Sequence, residues 1–171
     1  MVAIQEVQRL QTNVEIVPTQ QSKETRINWL RWITDPDIRQ WMCGNLPTKP
    51  EEVYHWVDSA TTDPRRHYFD ILLDNKPIGF INIREDHAPS NTGEIGIVIG
   101  EKMHQGRGIG HQALDKLVSY AKNTTHLTSL RALIKPNNEK SIKLFTQSGF
   151  TYTTSVMIEG TPMLKFEKQL V

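Results

Sequence analysis

Residues 94–122 constrain this chain more than any other stretch. They read Glu94-Ile-Gly-Ile-Val-Ile-Gly100, then Glu101-Lys-Met-His104, then Gln105-Gly-Arg-Gly-Ile-Gly110, then an amphipathic run to Lys122. Ile95, Ile97 and Ile99 alternate with Gly96 and Val98, and β-branched residues dominate, which is a strand pattern. Both faces are apolar, so the strand is expected in the middle of a sheet, buried on both sides. Leu114, Leu117, Val118 and Ala121 recur at the spacing of one helix face. Gly106, Gly108 and Gly110 open the turn between the two.

A strand, a glycine-rich turn and a helix together make a candidate anion cradle. Glycine reaches backbone angles that a Cβ forbids and lets a ligand approach the main chain. The first helical N–H groups lack intrahelical partners, and the helix dipole places partial positive charge there. Arg107 adds a full charge. The plain alternative is that the glycines serve only a tight turn, and Gly-x-Gly spacing does not separate the two readings.

The length of 171 residues suits a single domain, 1–171, with a sizeable core. Charge is balanced, 20 Lys+Arg against 19 Asp+Glu, which leaves no electrostatic footprint for nucleic acid. The single cysteine, Cys43, excludes an intrachain disulfide and a cysteine-based metal site. The histidines at 55, 67, 87, 104, 111 and 126 lack metal-ligand spacing, so no metal is expected. No apolar run approaches the ~20 residues of a membrane span. Residues 1–13 read as a tail or an extra element and lack a signal-peptide core. A soluble, cytoplasmic protein is the expectation.

In order along the chain, Val14–Val17 is a first strand stopped by Pro18. A helix from Ser22 puts Trp29, Trp32 and Ile33 on one face. Asp35-Pro36 breaks it, with Asp35 as N-cap of a short helix over Ile38–Met42. Thr48 and Glu51 resemble a capping box ahead of a helix that buries Val53, Trp56, Val57 and Ala60. The periodicity assigns Trp29, Trp32 and Trp56 to the core and leaves Trp41 open as a site residue. Tyr68–Leu73 and Ile78–Arg84 form a hairpin, Leu130–Ile134 a strand, and Asn137 or Asn138 caps a helix that runs to Gln147, with Gly149 as its stop signal. A last hairpin turns at Glu159-Gly160.

Two segments carry a family resemblance. Gln105-x-x-Gly108-x-Gly110 lies between strand and helix, and Asn138-x-x-Ser141-x-x-Leu144-Phe145-x-x-x-Gly149-Phe150 follows the next strand. The arrangement resembles the GNAT superfamily of acetyl-CoA-dependent N-acetyltransferases. Together with the opening over residues 26–42, it is similar to the branch that holds ribosomal-protein N-terminal, polyamine and amino-sugar acetyltransferases. The resemblance runs from about Val14 to Phe166 and is specific over 94–150. It implies an α+β fold: a mostly antiparallel mixed sheet of about seven strands flanked by about four helices, splayed between the strands at 94–99 and 129–134. It also implies acetyl-CoA as co-substrate and an amine as acceptor, and leaves a homodimer open. By the same resemblance, the N–H groups of Gln105, Gly106, Arg107, Gly108, Ile109 and Gly110 would hold the pyrophosphate. Ile97, Val98 and Ile99 would bind the pantetheine arm as an added strand. Asn138 would contact the pantetheine or acetyl end, with Ser141 one turn on and Phe145 beside the cofactor. For Asn138 and Ser141 the alternatives are a helix cap and a solvated helix position.

One departure bears on mechanism. Many relatives have a Tyr where this chain has Phe145, and that Tyr is thought to protonate the leaving thiolate. A thiol of pKa near ~8.5 leaves readily enough that a dedicated acid helps without being obligatory. The amine must lose a proton, and Glu94, at the start of the central strand, is the first candidate base. Glu85, Asp86 and His87 are further candidates. Phe145 keeps alive a second reading, a non-catalytic acyl-CoA-binding or regulatory module. A nucleotide-binding βαβ unit ranks last, because no acidic residue stands about 20 residues past the glycines.

Overall fold

The computed structural model describes residues 12–171. The question of a tail or an extra element over 1–13 thus falls almost wholly outside the described residues. Seven strands form one sheet: β1 (Val14–Pro18), β2 (Arg66–Leu73), β3 (Lys76–Glu85), β4 (Thr92–Ile99), β5 (Ser129–Ile134), β6 (Thr151–Ile158) and β7 (Thr161–Gln169). Their spatial order is β1-β2-β3-β4-β5-β7-β6. Every pairing is antiparallel except β4–β5, which is parallel. The helices are α1 (Lys23–Ile33), α2 (Pro36–Arg39), α3 (Pro50–Thr62), α4 (Ile109–Thr124) and α5 (Glu139–Gln147). This is the mixed α+β architecture expected.

The alternating faces of β2, β3 and β4 separate two cores. Phe69, Ile71, Ile81, Ile83 and Ile95 pack under α4, which buries Ile109, Ala113, Leu114, Leu117 and Ala121. Tyr68, Phe80 and Val98 point the other way and meet Trp29, Trp32 and Ile33 of α1 and Val53, Val57 and Ala60 of α3. Trp29 stacks on Phe80 with ring centroids 4.3 Å apart. Two tight turns use left-handed backbone at the predicted places: Asp74 and Asn75 have φ of 48° and 66°, and Glu159 and Gly160 have φ of 47° and 79°.

Three local readings change. Pro18 belongs to β1, opposite Phe69, which an edge strand tolerates because one side needs no N–H. The short helix starts at Pro36 and ends at Arg39, with Asp35 Oδ1 accepting from the Asp37 N–H at 2.9 Å, so Trp41 and Met42 lie beyond it. The carboxylate at the head of α3 is that of Glu52, which accepts from the Thr48 and Lys49 N–H groups at 2.9 and 3.2 Å. Glu51 does not take this role, because Lys49 is the N-cap and Glu52 stands three residues on.

Candidate active site

β4 and β5 pair only where Thr92–Glu94 lies against Ser129–Arg131. Beyond Glu94 they part, and a cleft of about 790 Å³ runs between them. From Ile95 to Ile99, β4 keeps only β3 as a partner. The Gly100 N–H points toward β3, 2.7 Å from the Ile78 carbonyl, while the Ile99 carbonyl points away and accepts from Gln105 Nε2 at 2.9 Å. Strand alternation therefore turns the main-chain groups of Ile95, Ile97 and Ile99 toward the open edge and those of Val98 toward β3. The predicted trio Ile97, Val98, Ile99 is split: two offer main chain to the cleft, and Val98 sends a buried side chain into the aromatic core.

The glycine turn forms one end of the cleft. Gly106 and Gly108 have φ of 73° and 76°, and a Cβ on either would meet nothing within 4 Å. Backbone angle, not crowding, is what these two positions require of glycine. The first bond of α4 runs from the Gln112 N–H to the Gly108 carbonyl at 3.2 Å, so the N–H groups of Ile109, Gly110 and His111 precede the ladder. The N–H of Gln105 is already donated to the Lys102 carbonyl at 3.2 Å, which moves the start of the cradle to Gly106. Ile109 sends its side chain into the core, and Arg107 is exposed with no ion pair among the described residues. Neither side chain lines the cleft, so Ile109 has only main chain to offer there.

On the facing wall, Asn138 caps α5: its Oδ1 accepts from the Ser141 N–H at 3.3 Å. Asn138 and Ser141 both line the cleft as well. The Phe145 ring joins the same wall and packs edge-on against Phe150 at 5.1 Å. It supplies hydrocarbon and no proton.

Glu94 sits where the strands divide. Its Oε1 accepts from Arg84 Nη2 at 2.5 Å and its Oε2 from Arg131 Nε at 3.2 Å. The other end of Arg131 grips Asp86 through two bonds of 2.6 and 2.7 Å. Those bonds hold the Asp86 carboxyl below the usual carboxylate range. The remaining candidate bases lie off the cleft. Glu85 is on the α4 side of the sheet, where its carboxylate meets His67 Nε2 at 2.6 Å, and His87 lies with Nδ1 2.7 Å from the Arg65 Nη1 donor.

The Acetyltransferase (GNAT) domain family matches residues 14–151, which span the whole of this cleft. The chain belongs to the GNAT family. N-acetyltransferase 9-like protein of Nematostella vectensis is 35% identical over 112 residues, covering 66% of this chain and 52% of that protein. The chain thus spans about half the length of that relative. A domain from Methanocaldococcus jannaschii has 27% identity and a TM-score of 0.78, covering 93% of this chain and 99% of that one. The aminoglycoside acetyltransferase AAC(6')-Ib, solved with paromomycin and acetyl-CoA, shares the fold at 17% identity and a TM-score of 0.79, covering 92% of this chain and 93% of that one.

The rest of this GNAT cleft comes mostly from residues that periodicity did not single out, together with Trp56, which was expected in the core but is only partly buried and lines the cleft with one side of its ring system on the aromatic cluster. Trp41, left open above, stands half in solvent on the cleft wall, with Trp56 and Cys43. Tyr68, Asn82 and Gly96 lie side by side across β2, β3 and β4. A signal for Asn82 was present: it is the one polar residue in Ile78-Gly-Phe-Ile-Asn-Ile83. Arg131 had none, because its two carboxylates come from 37 and 45 residues away.

Proposed function

We propose that this chain is an acetyl-CoA-dependent N-acetyltransferase, moving an acetyl group to a primary amine by direct attack in a ternary complex. The observation that carries the reading is the open edge of β4, which runs from the cradle at Gly106–Gly110 to Glu94 with only β3 paired to it. An extended amide-bearing arm fits that edge as an added strand, through the N–H and C=O groups of Ile97 and the N–H of Ile99, whose carbonyl already accepts from Gln105 Nε2. Its pyrophosphate fits the N–H groups of Gly106 to His111 at the head of α4. Asn138, Ser141 and Phe145 close the other wall.

The acyl donor would supply a thioester carbonyl at the open edge of β4. The amine nitrogen would form a C–N bond to that carbon, the C–S bond would break with coenzyme A leaving as its thiolate to take a proton from solvent, and the nitrogen would lose its surplus proton. An alkyl amine of pKa near ~10 is neutral in only roughly one molecule in 10³ at pH 7, so the site must admit the neutral form or accept its proton. An N–H on the open edge polarises the carbonyl. Alignment of amine and thioester contributes much of the acceleration and requires no particular side chain. Glu94, the expected base, has both oxygens engaged by guanidinium groups, and protonation would break an ion pair. We assign it to holding Arg84 and Arg131 at the fork, with the amine proton leaving to solvent.

A reducing, cytoplasmic setting goes with this proposal. Among the described residues no helix is long and apolar enough to cross a membrane. The decisive experiment measures free thiol released from acetyl-CoA with and without a panel of primary amines. Amine-dependent release is expected. Tight coenzyme A binding without such release would favour the non-catalytic acyl-CoA module that Phe145 suggests.

A further inference from the structure

Asn82 is 4% exposed, on the middle strand of the row Tyr68–Asn82–Gly96. Its amide makes no hydrogen bond to another described residue, and the hydroxyl of Tyr68, which is 6% exposed, has the Trp56 indole as its neighbouring partner. Both side chains line the cleft. Gly96 is what uncovers the amide: a Cβ there would stand 2.8 Å from Asn82 Oδ1. A largely buried amide without a protein partner gives up much of its hydration, a cost that calls for an explanation, and its polar atoms stay reachable from the cleft. An apolar residue in an apolar strand would avoid that cost.

The charged groups around it define what it faces. Among the described residues three carboxylates line the cleft, Asp37, Glu94 and Glu139. Asp37 is held by Lys102 at 2.7 Å, and Glu94 by two arginines. Glu139 belongs to α5, on the cofactor side. The acceptor half therefore offers no free acid to a second ammonium group. It offers instead an amide and a phenol, each able to donate and to accept, between the indoles of Trp41 and Trp56.

We propose that Asn82, with Tyr68 beside it, is a specificity-determining residue: its amide hydrogen-bonds an uncharged donor–acceptor group, an amide or a hydroxyl, borne close to the acceptor's amine. This rests on the acetyltransferase reading of the cleft. It favours peptide-like or hydroxylated amines over polyamines and bare alkylamines. An amine without such a group leaves the amide desolvated and unpaired, which is the kind of mismatch that rejects a substrate strongly.

The test compares the wild-type chain with Asn82→Leu, which keeps the branched shape and removes the polarity, and with Asn82→Ala. Acceptors are an alanyl dipeptide amide, glucosamine, spermidine and n-butylamine. Wild type is expected to favour the dipeptide amide or glucosamine, and which of the two shows whether the group is amide or hydroxyl. In both variants kcat/KM for the favoured acceptor falls by roughly tenfold or more, while n-butylamine turnover and the KM for acetyl-CoA stay put. Asn82→Leu also melts no lower than wild type, because the amide makes no hydrogen bond to a described residue for leucine to lose. A purely structural asparagine would show the reverse: a lower melting temperature and unchanged selectivity, which would overturn the proposal. Wild-type preference for spermidine or n-butylamine would overturn it too. Turnover with unaltered selectivity removes only the role of Asn82, whereas no turnover with any amine removes the acetyltransferase reading along with it.

Discussion

Gly100 and Trp32 compete for one volume: a Cβ on Gly100 would lie 2.2 Å from Cγ of the Trp32 indole. The indole is 1% exposed and donates from Nε1 to Glu101 Oε1 at 3.1 Å, and Glu101 also takes the Arg31 guanidinium. The end of β4, just ahead of the cradle, is thus docked on α1 by one absent side chain and one shared carboxylate. Gly100→Ala should overpack this contact and cost about 1–3 kcal/mol. Thermal unfolding should show a melting temperature lower by roughly 3–10 °C. A melt unchanged within about a degree would contradict the packing argument.

Gly108 begins α4 at φ 76° with open space around it. Gly108→Glu brings a negative charge to the cradle and a side chain to a backbone angle that disfavours one. Coenzyme A affinity measured by calorimetry should drop at least tenfold, or ~1.4 kcal/mol. Gly108→Ala carries the backbone cost of about 1–2 kcal/mol without the charge and should fall between the two. Tight binding by the Glu variant would remove the phosphate assignment.

What was legible in the sequence was local. The alternation of Ile95, Ile97 and Ile99 reports β4, the spacing of Leu114, Leu117 and Ala121 reports α4, and Gly106 and Gly108 have the positive φ their turn demands. Asp74-Asn75 and Glu159-Gly160 are turns for the same reason. The donor half of the candidate site follows from such local rules plus the resemblance. The acceptor half does not, because it is set by register. Tyr68, Asn82 and Gly96 become neighbours only when β2, β3 and β4 align. Likewise Glu85 and Glu94 both read as acids near a strand end. Only the side-chain parity of the folded sheet sends Glu85 to His67 under α4 and Glu94 to the cleft. Arg131 belongs to the same class, since its partners Asp86 and Glu94 lie across a sheet pairing.

Asp70 offers a pH test of stability. It lies on β2 opposite Phe80 and accepts from the Thr19 hydroxyl at 3.2 Å. Burial pushes its carboxyl up to about 6, with the Thr19 bond opposing. An aspartate in the unfolded chain titrates near ~3.9, so the folded state binds this proton more tightly. The resulting stabilisation is complete below about pH 4 and is lost as pH rises through about 6. Asp70→Asn removes the charge and keeps an acceptor for Thr19. Denaturant unfolding should show the variant more stable than wild type by about 1–2 kcal/mol at pH 8, with the two converging near pH 4. A variant less stable at pH 8 would show that the charge is not the dominant cost.

Glu94→Gln separates two tasks for the residue at the fork. As a general base, Glu94 would matter most at low pH, where the amine is protonated, and its loss would cost the 10²–10⁴-fold typical of such groups. As the ion-pair partner of Arg84 and Arg131, it matters through geometry at every pH. Glutamine still accepts one guanidinium hydrogen bond and fills the same space. The expected result is a fall in kcat of less than roughly tenfold, with the pH–rate profile keeping its shape, because the proton-accepting step is unaltered. Arg131→Met should be the more damaging change, since it releases Asp86 altogether and leaves Glu94 with Arg84 as its remaining guanidinium partner among the described residues. An acid limb that moves or steepens in Glu94→Gln would return the base to Glu94 and set aside the solvent route.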